Sequence, residues 1–151
     1  AKEIASLTWS MVLDSENKIS DSIRLENSAS KGQSGGVIWL NEDLKNMLKT
    51  YYQNACPENQ KERIIKTERS KNTCPHVIIN LFRNWYQKLG YEGCTSHSGR
   101  RTFITNSAKK ISSVGGSIRD VQMLARHSTL QMTQRYIESD IEAQRKLVQI
   151  I

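Results

Sequence analysis

The segment from His97 to Tyr136 constrains the fold more than any other part of the chain. Apolar residues recur there at helical spacing, and the pattern is interrupted at Gly115-Gly116 and again near His127. The segment therefore predicts three helices joined by two turns. Ser128 and Gln131 match a capping box, so we expect the third helix to begin directly after His127 and to run to about residue 137.

The same segment carries side chains suited to binding a phosphate. His97 and Arg100 stand three positions apart, so on a helix they lie on one face about one turn apart. A guanidinium fork with an imidazole beside it can bind phosphate oxygens. Tyr136 follows His127 by nine positions and can bring its hydroxyl to the same place. Taken singly, each residue is more simply explained as a half-buried aromatic or a polar residue at a helix end.

These residues form two motifs that resemble those of the tyrosine recombinase (phage integrase) family. The family has a His-x-x-Arg box and, further along, a Gly-His-x(8)-Tyr box. Here the first box is His97-Ser98-Gly99-Arg100, and the second is His127 with Tyr136 nine residues later. Arg126 stands where the family usually has glycine. The resemblance extends over nearly the whole chain, and the joint occurrence of both boxes outweighs the simpler explanation of each residue.

The resemblance implies a site-specific DNA recombinase that cuts and rejoins strands by transesterification. Tyr136 would attack the scissile phosphorus and form a 3′-phosphotyrosyl intermediate. Arg100 would clamp the phosphate, His127 would add a further donor, and His97 would assist proton transfer or positioning. One phosphoester replaces another, so the implied reaction needs no ATP, metal ion or other cofactor.

The family also implies functional residues outside the two boxes. Its catalytic lysine lies on a β-hairpin, and Lys31 lies in the loop of a predicted hairpin, although from the sequence alone it would be an ordinary solvated lysine. Glu3 matches a supporting glutamate, with a solvated glutamate at a helix start as the equal alternative. The first catalytic arginine and an N-terminal DNA-clamping domain would precede Ala1, so we expect residues 1–151 to be a catalytic-domain fragment. The arginines beside the boxes are assigned to DNA binding: Arg101, Arg126 and Arg135.

The composition agrees with a double-stranded DNA partner. The 151 residues carry a formal net charge of +7, which favours a polyanionic partner, although a merely basic soluble domain is the alternative on charge alone. No apolar run approaches membrane-spanning length, so we expect no membrane partner. The three cysteines include no CxxC pair and predict neither a zinc site nor a disulfide framework. A reducing cytoplasm, in a bacterium or with a phage-encoded protein, fits these features.

The rest of the chain predicts an α+β fold that is mainly helical, in one domain. Alternating apolar residues predict an antiparallel hairpin over 18–40, with a Ser/Gly-rich loop over 28–36 and a further short strand near Ile64. Helices are predicted over 1–12, after Asn41, and from Pro75 to Leu89.

A terminal amphipathic helix is predicted over 139–151. Its apolar residues need a surface to bury against. Packing on its own domain is one solution. Docking onto a neighbouring protomer is the solution that the resemblance implies, and it predicts a homo-oligomer on DNA.

Two other functions stay open at this point. A DNA-binding module without catalysis would explain the charge and would tolerate the expected absence of the first arginine. A type IB topoisomerase would use the same chemistry but relax supercoils by itself. The apolar C-terminal helix favours a recombinase, because recombination requires exchange between protomers.

Overall fold

The computed structural model describes residues 1–30, 32, 34–68, 70–137 and 141–150. They form two compact units, residues 1–96 and residues 97–151. Helices predominate, and the sheet is a single antiparallel pair of strands, so the predicted α+β class is confirmed. No helix in the described part of the chain is long and apolar enough to cross a membrane.

In its described residues, the first unit combines three α-helices with one hairpin. The helices are α1 (Lys2–Ser6), α2 (Glu42–Ala55) and α3 (Pro75–Lys88), and the strands are β1 (Ser22–Leu25) and β2 (Gly36–Trp39). Asn41 caps α2 as predicted, because its Oδ1 accepts the backbone N–H of Leu44 at 3.0 Å. Pro75 starts α3 as predicted, and the helix ends at Lys88.

The hairpin confirms the alternation seen in the sequence. Ile23 lies opposite Ile38 in the antiparallel register, and Ile23 and Leu25 are buried in the core of the unit. Val37 and Trp39 lie on the other face of β2 and are exposed. The period of two therefore places one face of the hairpin on the core and the other in solvent.

The prediction of one continuous helix over 1–12 is wrong. The helix α1 ends at Ser6, and a separate 3₁₀ turn covers Trp9–Met11. Between them the backbone pairs with a distant segment: Ile64 N–H donates to Leu7 O at 2.9 Å, and Trp9 N–H donates to Glu62 O at 3.2 Å. These long-range bonds replace the local helical ones, so tertiary pairing overrides the apolar spacing.

The same pairing corrects the prediction of a strand near Ile64. Ile64 is buried in the core, but this segment adds no third strand to the hairpin in the described residues. Arg63 forms an isolated bridge with Thr8 instead. Trp9 is fully buried at the centre of this core, with its ring centroid 4.9 Å from that of Tyr52.

The second unit is helical in its described residues. It contains α4 (Ser98–Lys110), α5 (Ile118–Ala125), α6 (Leu130–Gln134) and α7 (Ile141–Ile150), with a 3₁₀ turn over Ile111–Val114. Its core is built from Ile104, Val121 and Ala125, against which Tyr136 also packs. Gly115 ends the 3₁₀ turn with φ of +75°, a conformation that favours glycine.

The start of α6 differs from the predicted one. The predicted capping box of Ser128 and Gln131 is wrong, because the N-cap residue is Thr129 and the helix begins at Leu130. The Ser128 hydroxyl donates instead to Met132 Sδ at 3.4 Å. The helix also ends at Gln134, so Tyr136 lies just beyond it rather than on it. The predicted terminal helix is confirmed as α7, with Leu147 and Val148 54% and 71% exposed.

Candidate active site

The N-terminal end of α4 carries the first box. His97 is the N-cap residue and is exposed, and Arg100 lies in the first turn of the helix. The Arg100 guanidinium donates through Nη2 to the carbonyl oxygen of Ala125, the last residue of α5. This bond ties the start of α4 to the end of α5, so the guanidinium is held beside the residues that follow α5.

The C-terminal end of α5 positions His127. Arg126 has φ of +52°, in the left-handed region, and its N–H donates to Met123 O at 2.9 Å. The N–H of His127 donates to Gln122 O at 3.0 Å. These two bonds form a Schellman motif, which explains why glycine is usual in the family where this chain has Arg126. Gln122 Nε2 also donates to His127 O at 3.1 Å, so the backbone of His127 is held from both sides.

The short helix α6 then brings two side chains back to His127. Nδ1 of His127 lies 2.9 Å from Oγ1 of Thr133, which is fully buried. The rings of His127 and Tyr136 stack with centroids 5.7 Å apart and planes 22° apart. One face of Tyr136 packs on the core while the residue stays half-buried, so the stack is part of the folded unit.

These side chains line a surface depression of about 490 Å³. Its lining residues come from α4 and from the segment between α5 and α7: Arg101, Thr105, His127, Met132, Arg135 and Tyr136. The lining contains two arginines and no carboxylate, and Arg100 lies close enough to His127 to act on its charge. Such a surface attracts anions.

The environment of His127 favours its neutral form. Burial lowers the pKa of the imidazole below its ordinary value, and the positive charge of Arg100 lowers this pKa further. At neutral pH the ring is therefore uncharged, with one nitrogen that donates a hydrogen bond and one that accepts.

The structure brings together five of the residues singled out from the sequence. His127, Tyr136, Arg101 and Arg135 line the depression, and Arg100 lies beside His127. The other two residues that the sequence singled out in the second unit are neighbours of this group along the chain. His97 precedes α4 and does not line the depression, and Arg126 is half-buried between α5 and His127.

The other two predicted residues belong to the first unit. Glu3 lies on α1 and is half-buried. Lys31 lies outside the described residues. Its loop is bounded by described contacts, since the N–H of Gly35 donates to Asn27 Oδ1 at 2.9 Å and Lys2 Nζ donates to Ser30 O at 2.7 Å.

Sequence reasoning missed Thr133 and Gln122. Thr133 occupies one of the eight unspecified positions of the second box and Gln122 precedes that box, so neither motif assigns them a role. A threonine or a glutamine on a short amphipathic helix gives no further signal of its own. Only the fold shows that one contacts the ring of His127 and the other its carbonyl. In the described ranges, no three His, Cys, Asp or Glu side chains are grouped as a metal site.

The fold is that of the catalytic domain of a tyrosine recombinase. The structure of XerA recombinase superposes with a TM-score of 0.67 at 23% identity, over 96% of this chain and 49% of that one. The structure of the Tn1549 transposon integrase in complex with transposon right end DNA superposes with a TM-score of 0.65 at 18% identity, over 99% of this chain and 54% of that one. The chain thus spans about half the length of these proteins.

The model of the phage integrase family matches residues 1–143. The chain therefore belongs to the phage integrase family. Among curated protein sequences none matches it.

Proposed function

We propose that the chain is the catalytic domain of a site-specific DNA recombinase that works through a covalent tyrosine intermediate. The observation that supports this most directly is the depression in which the stacked rings of His127 and Tyr136 meet Arg101 and Arg135. A phenol beside imidazole and guanidinium donors has the parts needed for nucleophilic attack on a phosphodiester.

In the proposed reaction, Tyr136 is the nucleophile. A bond forms between its phenolic oxygen and the scissile phosphorus, and the bond from phosphorus to the 5′ oxygen breaks. The phenol loses its proton, with His97 as the group that assists. The leaving 5′ oxygen gains a proton from Lys31. The product is a 3′-phosphotyrosyl bond and a free 5′ hydroxyl, and a second 5′ hydroxyl reverses the step on a new partner strand.

The phosphoryl oxygens gain negative charge in the transition state, and fixed donors would stabilise it. Arg100 is the main clamp, and its bond to Ala125 O holds the guanidinium in place before DNA binds. His127 is a further donor. Such preorganised donors contribute several kcal/mol in a site that excludes water. Glu3 would support the site from α1.

Double-stranded DNA is the proposed partner, bound through its backbone by Arg101, Arg126 and Arg135. We also propose that the segment 139–151 docks onto a neighbouring protomer, which makes the active form a homo-oligomer on DNA in the bacterial or phage-infected cytoplasm. The exposure of Leu147 and Val148 on α7 supports this, because apolar side chains on a helix gain by burial.

A suicide substrate tests the proposed chemistry. A duplex carrying the recombination site, with a nick beside the scissile phosphate, loses its short 5′-hydroxyl strand after cleavage and traps the covalent intermediate. With the full-length protein, the expected result is a protein–DNA band that survives denaturant, with the phosphate mapped to Tyr136 by peptide mass spectrometry, whereas residues 1–151 alone should give little or no band. A phosphate mapped to another tyrosine, or the absence of any adduct, would contradict the proposal.

A second assay separates recombination from the two rival functions. Incubation with a supercoiled plasmid carrying two sites should give recombinant products. A plasmid without sites should remain supercoiled. Relaxation of the plasmid without sites would indicate a topoisomerase, and site binding with neither product would indicate a DNA-binding module without catalysis.

A further inference from the structure

Thr133 combines full burial with a polar contact to the proposed site. It is 0% exposed, yet His127, to which it is bonded, lines the open depression. The Thr133 hydroxyl lies 2.9 Å from Nδ1 of His127, and no other residue in the described part of the chain shares a hydrogen bond with that hydroxyl. Burying a hydroxyl hydrogen without an acceptor would destabilise the folded chain, so His127 Nδ1 must accept the hydrogen bond from Thr133.

The protons of this pair can be assigned from the contact. A hydroxyl has one hydrogen, and a neutral imidazole has one protonated and one unprotonated nitrogen. If Nδ1 of His127 carried the proton, the hydrogen of Thr133 would be left without an acceptor. If Nδ1 is unprotonated, the hydroxyl donates to it and both groups are satisfied.

We propose that Thr133 is a positioning residue that fixes the imidazole of His127 in the tautomer with its proton on Nε2. Because Nδ1 faces the buried hydroxyl, Nε2 is the ring nitrogen open to the depression. His127 then presents an N–H donor to a non-bridging phosphate oxygen. The identity of that anion, a DNA phosphodiester, rests on the proposed function, whereas the tautomer rests on the contact between the two side chains.

The surroundings of the ring agree with a neutral imidazole. Arg100 and Arg101 approach from α4, Arg126 precedes it at the end of α5, and Arg135 lies beyond α6 with the phenol of Tyr136 stacked on the ring. The lining of the depression includes no carboxylate that would stabilise a charged imidazolium. Burial and the charge of Arg100 both lower the pKa of His127.

Nitrogen NMR of the whole 151-residue chain reads the tautomer directly. Long-range proton–nitrogen correlation spectra of the ¹⁵N-labelled chain at neutral pH distinguish protonated from unprotonated ring nitrogens. The chain has three histidines, so His127→Gln assigns the signals of His127. Two variants then probe the contact: Thr133→Val keeps the shape and removes the hydroxyl, and Thr133→Ser keeps the hydroxyl.

The wild-type spectrum should show an unprotonated Nδ1 and a protonated Nε2 on His127. Thr133→Val should shift the Nδ1 resonance and lower the ratio of the two tautomers by roughly fivefold, as expected for the loss of one hydrogen bond. Thr133→Ser should restore both the wild-type Nδ1 resonance and the wild-type ratio of tautomers. Thr129→Val is the matched control, because Thr129 caps α6 without a side-chain bond and should leave the signals unchanged.

Two outcomes would overturn the inference. A wild-type spectrum with Nδ1 protonated does so even if Thr133→Val fails to fold. A folded Thr133→Val chain whose His127 signals match the wild type shows that the hydroxyl does not set the tautomer.

The suicide-substrate assay connects the tautomer to function. Thr133→Val should slow adduct formation by roughly five- to tenfold and leave DNA affinity within about twofold, and Thr133→Ser should recover the rate. An equal loss of rate and affinity, not recovered by serine, would indicate a merely structural residue and contradict the positioning role. Absence of an adduct with the full-length wild type would contradict the proposed function, while the NMR result would still decide the tautomer.

Discussion

The imidazole of His127 and the phenol ring of Tyr136 stack, with their centroids 5.7 Å apart and their planes 22° apart. The contact is between ring faces, so it depends on the aromatic ring of Tyr136 and not on its hydroxyl. The hydroxyl is therefore not needed for the ring to take its place between His127 and the core of Ile104 and Val121. A single substitution can thus separate the position of this ring from the role proposed for its hydroxyl.

Tyr136→Phe should abolish the covalent adduct and leave non-covalent DNA affinity within about twofold. Phenylalanine keeps the stack on His127 and removes only the oxygen that is proposed as the nucleophile. The measurement is the denaturant-resistant band with the nicked duplex, beside a native gel shift with intact DNA. Tyr91→Phe is the matched control, because Tyr91 is 59% exposed in the other unit and should behave as wild type. A persistent band in Tyr136→Phe would place the nucleophile elsewhere.

Arg100→Ala should slow adduct formation by about a hundred- to a thousandfold, since it removes a fixed donor to the phosphate. Arg100→Lys should recover only part of this rate, because lysine keeps the charge but loses the planar fork that bonds Ala125 and, in the proposed reaction, the phosphate. Single-turnover rates at saturating DNA check this prediction. Lys109→Ala removes a positive charge from the last turn of the same helix and serves as the control. Equal rates for Arg100→Ala and Lys109→Ala would refute the role as a clamp.

The fold class and the two boxes were predictable because they depend on local patterns. The alternation around Ile23, the capping residue Asn41 and the spacing from His127 to Tyr136 are all visible along the chain. Short-range geometry largely determines such features. The structure therefore reproduces the hairpin and the helix after Asn41.

The features that were missed depend on distant parts of the chain. The end of α1 at Ser6 is set by backbone hydrogen bonds between residues 7–10 and residues 60–64, which no local pattern reveals. Thr133 contacts His127 because α5 ends in a left-handed residue and α6 begins at Leu130, one residue after the start that a Ser128 cap predicts. Spacing in sequence therefore singled out His127 and Tyr136, but not the side chains that contact His127 in the fold.

Acidification should destabilise the folded chain through His127. Its pKa is lowered in the folded state by burial and by Arg100, so the unfolded chain binds this proton more readily. The contribution of His127 to the free energy of unfolding is therefore fully present above the unfolded-state pKa of about 6.5 and is lost as the pH falls below that value. Urea denaturation between pH 8 and pH 5 measures how the free energy of unfolding changes with pH. His127→Gln should make this change smaller, and a pH dependence identical to that of the wild type would contradict the prediction.

The capping box at the start of α5 should contribute to the stability of the folded chain. The Asp120 carboxylate accepts hydrogen bonds from the Ser117 backbone N–H at 2.7 Å and from its hydroxyl at 2.8 Å, and these bonds lower the pKa of Asp120. Asp120→Ala should lower the urea midpoint at neutral pH, and the difference from the wild type should narrow as the pH falls and Asp120 is protonated. Asp43→Ala, in the first turn of α2, is the control. An equal loss of stability in both variants would show that the bonds to Ser117 contribute nothing specific.

Arg126 should combine a backbone cost with a contribution to DNA binding. Its φ of +52° is strained for any residue with a Cβ, so Arg126→Gly should be more stable than Arg126→Ala by ~1 kcal/mol. Arg119 is the matched control: it lies within α5, so Arg119→Gly should be less stable than Arg119→Ala.

Both Arg126 variants lose the same charge and should lower DNA affinity equally. Binding should release about one counterion fewer than in the wild type, so the affinity should fall less steeply with salt concentration. Urea denaturation and DNA titrations at several salt concentrations measure the two effects separately. A more stable alanine variant at position 126 would rule out the strained conformation, and an unchanged salt dependence would rule out the phosphate contact.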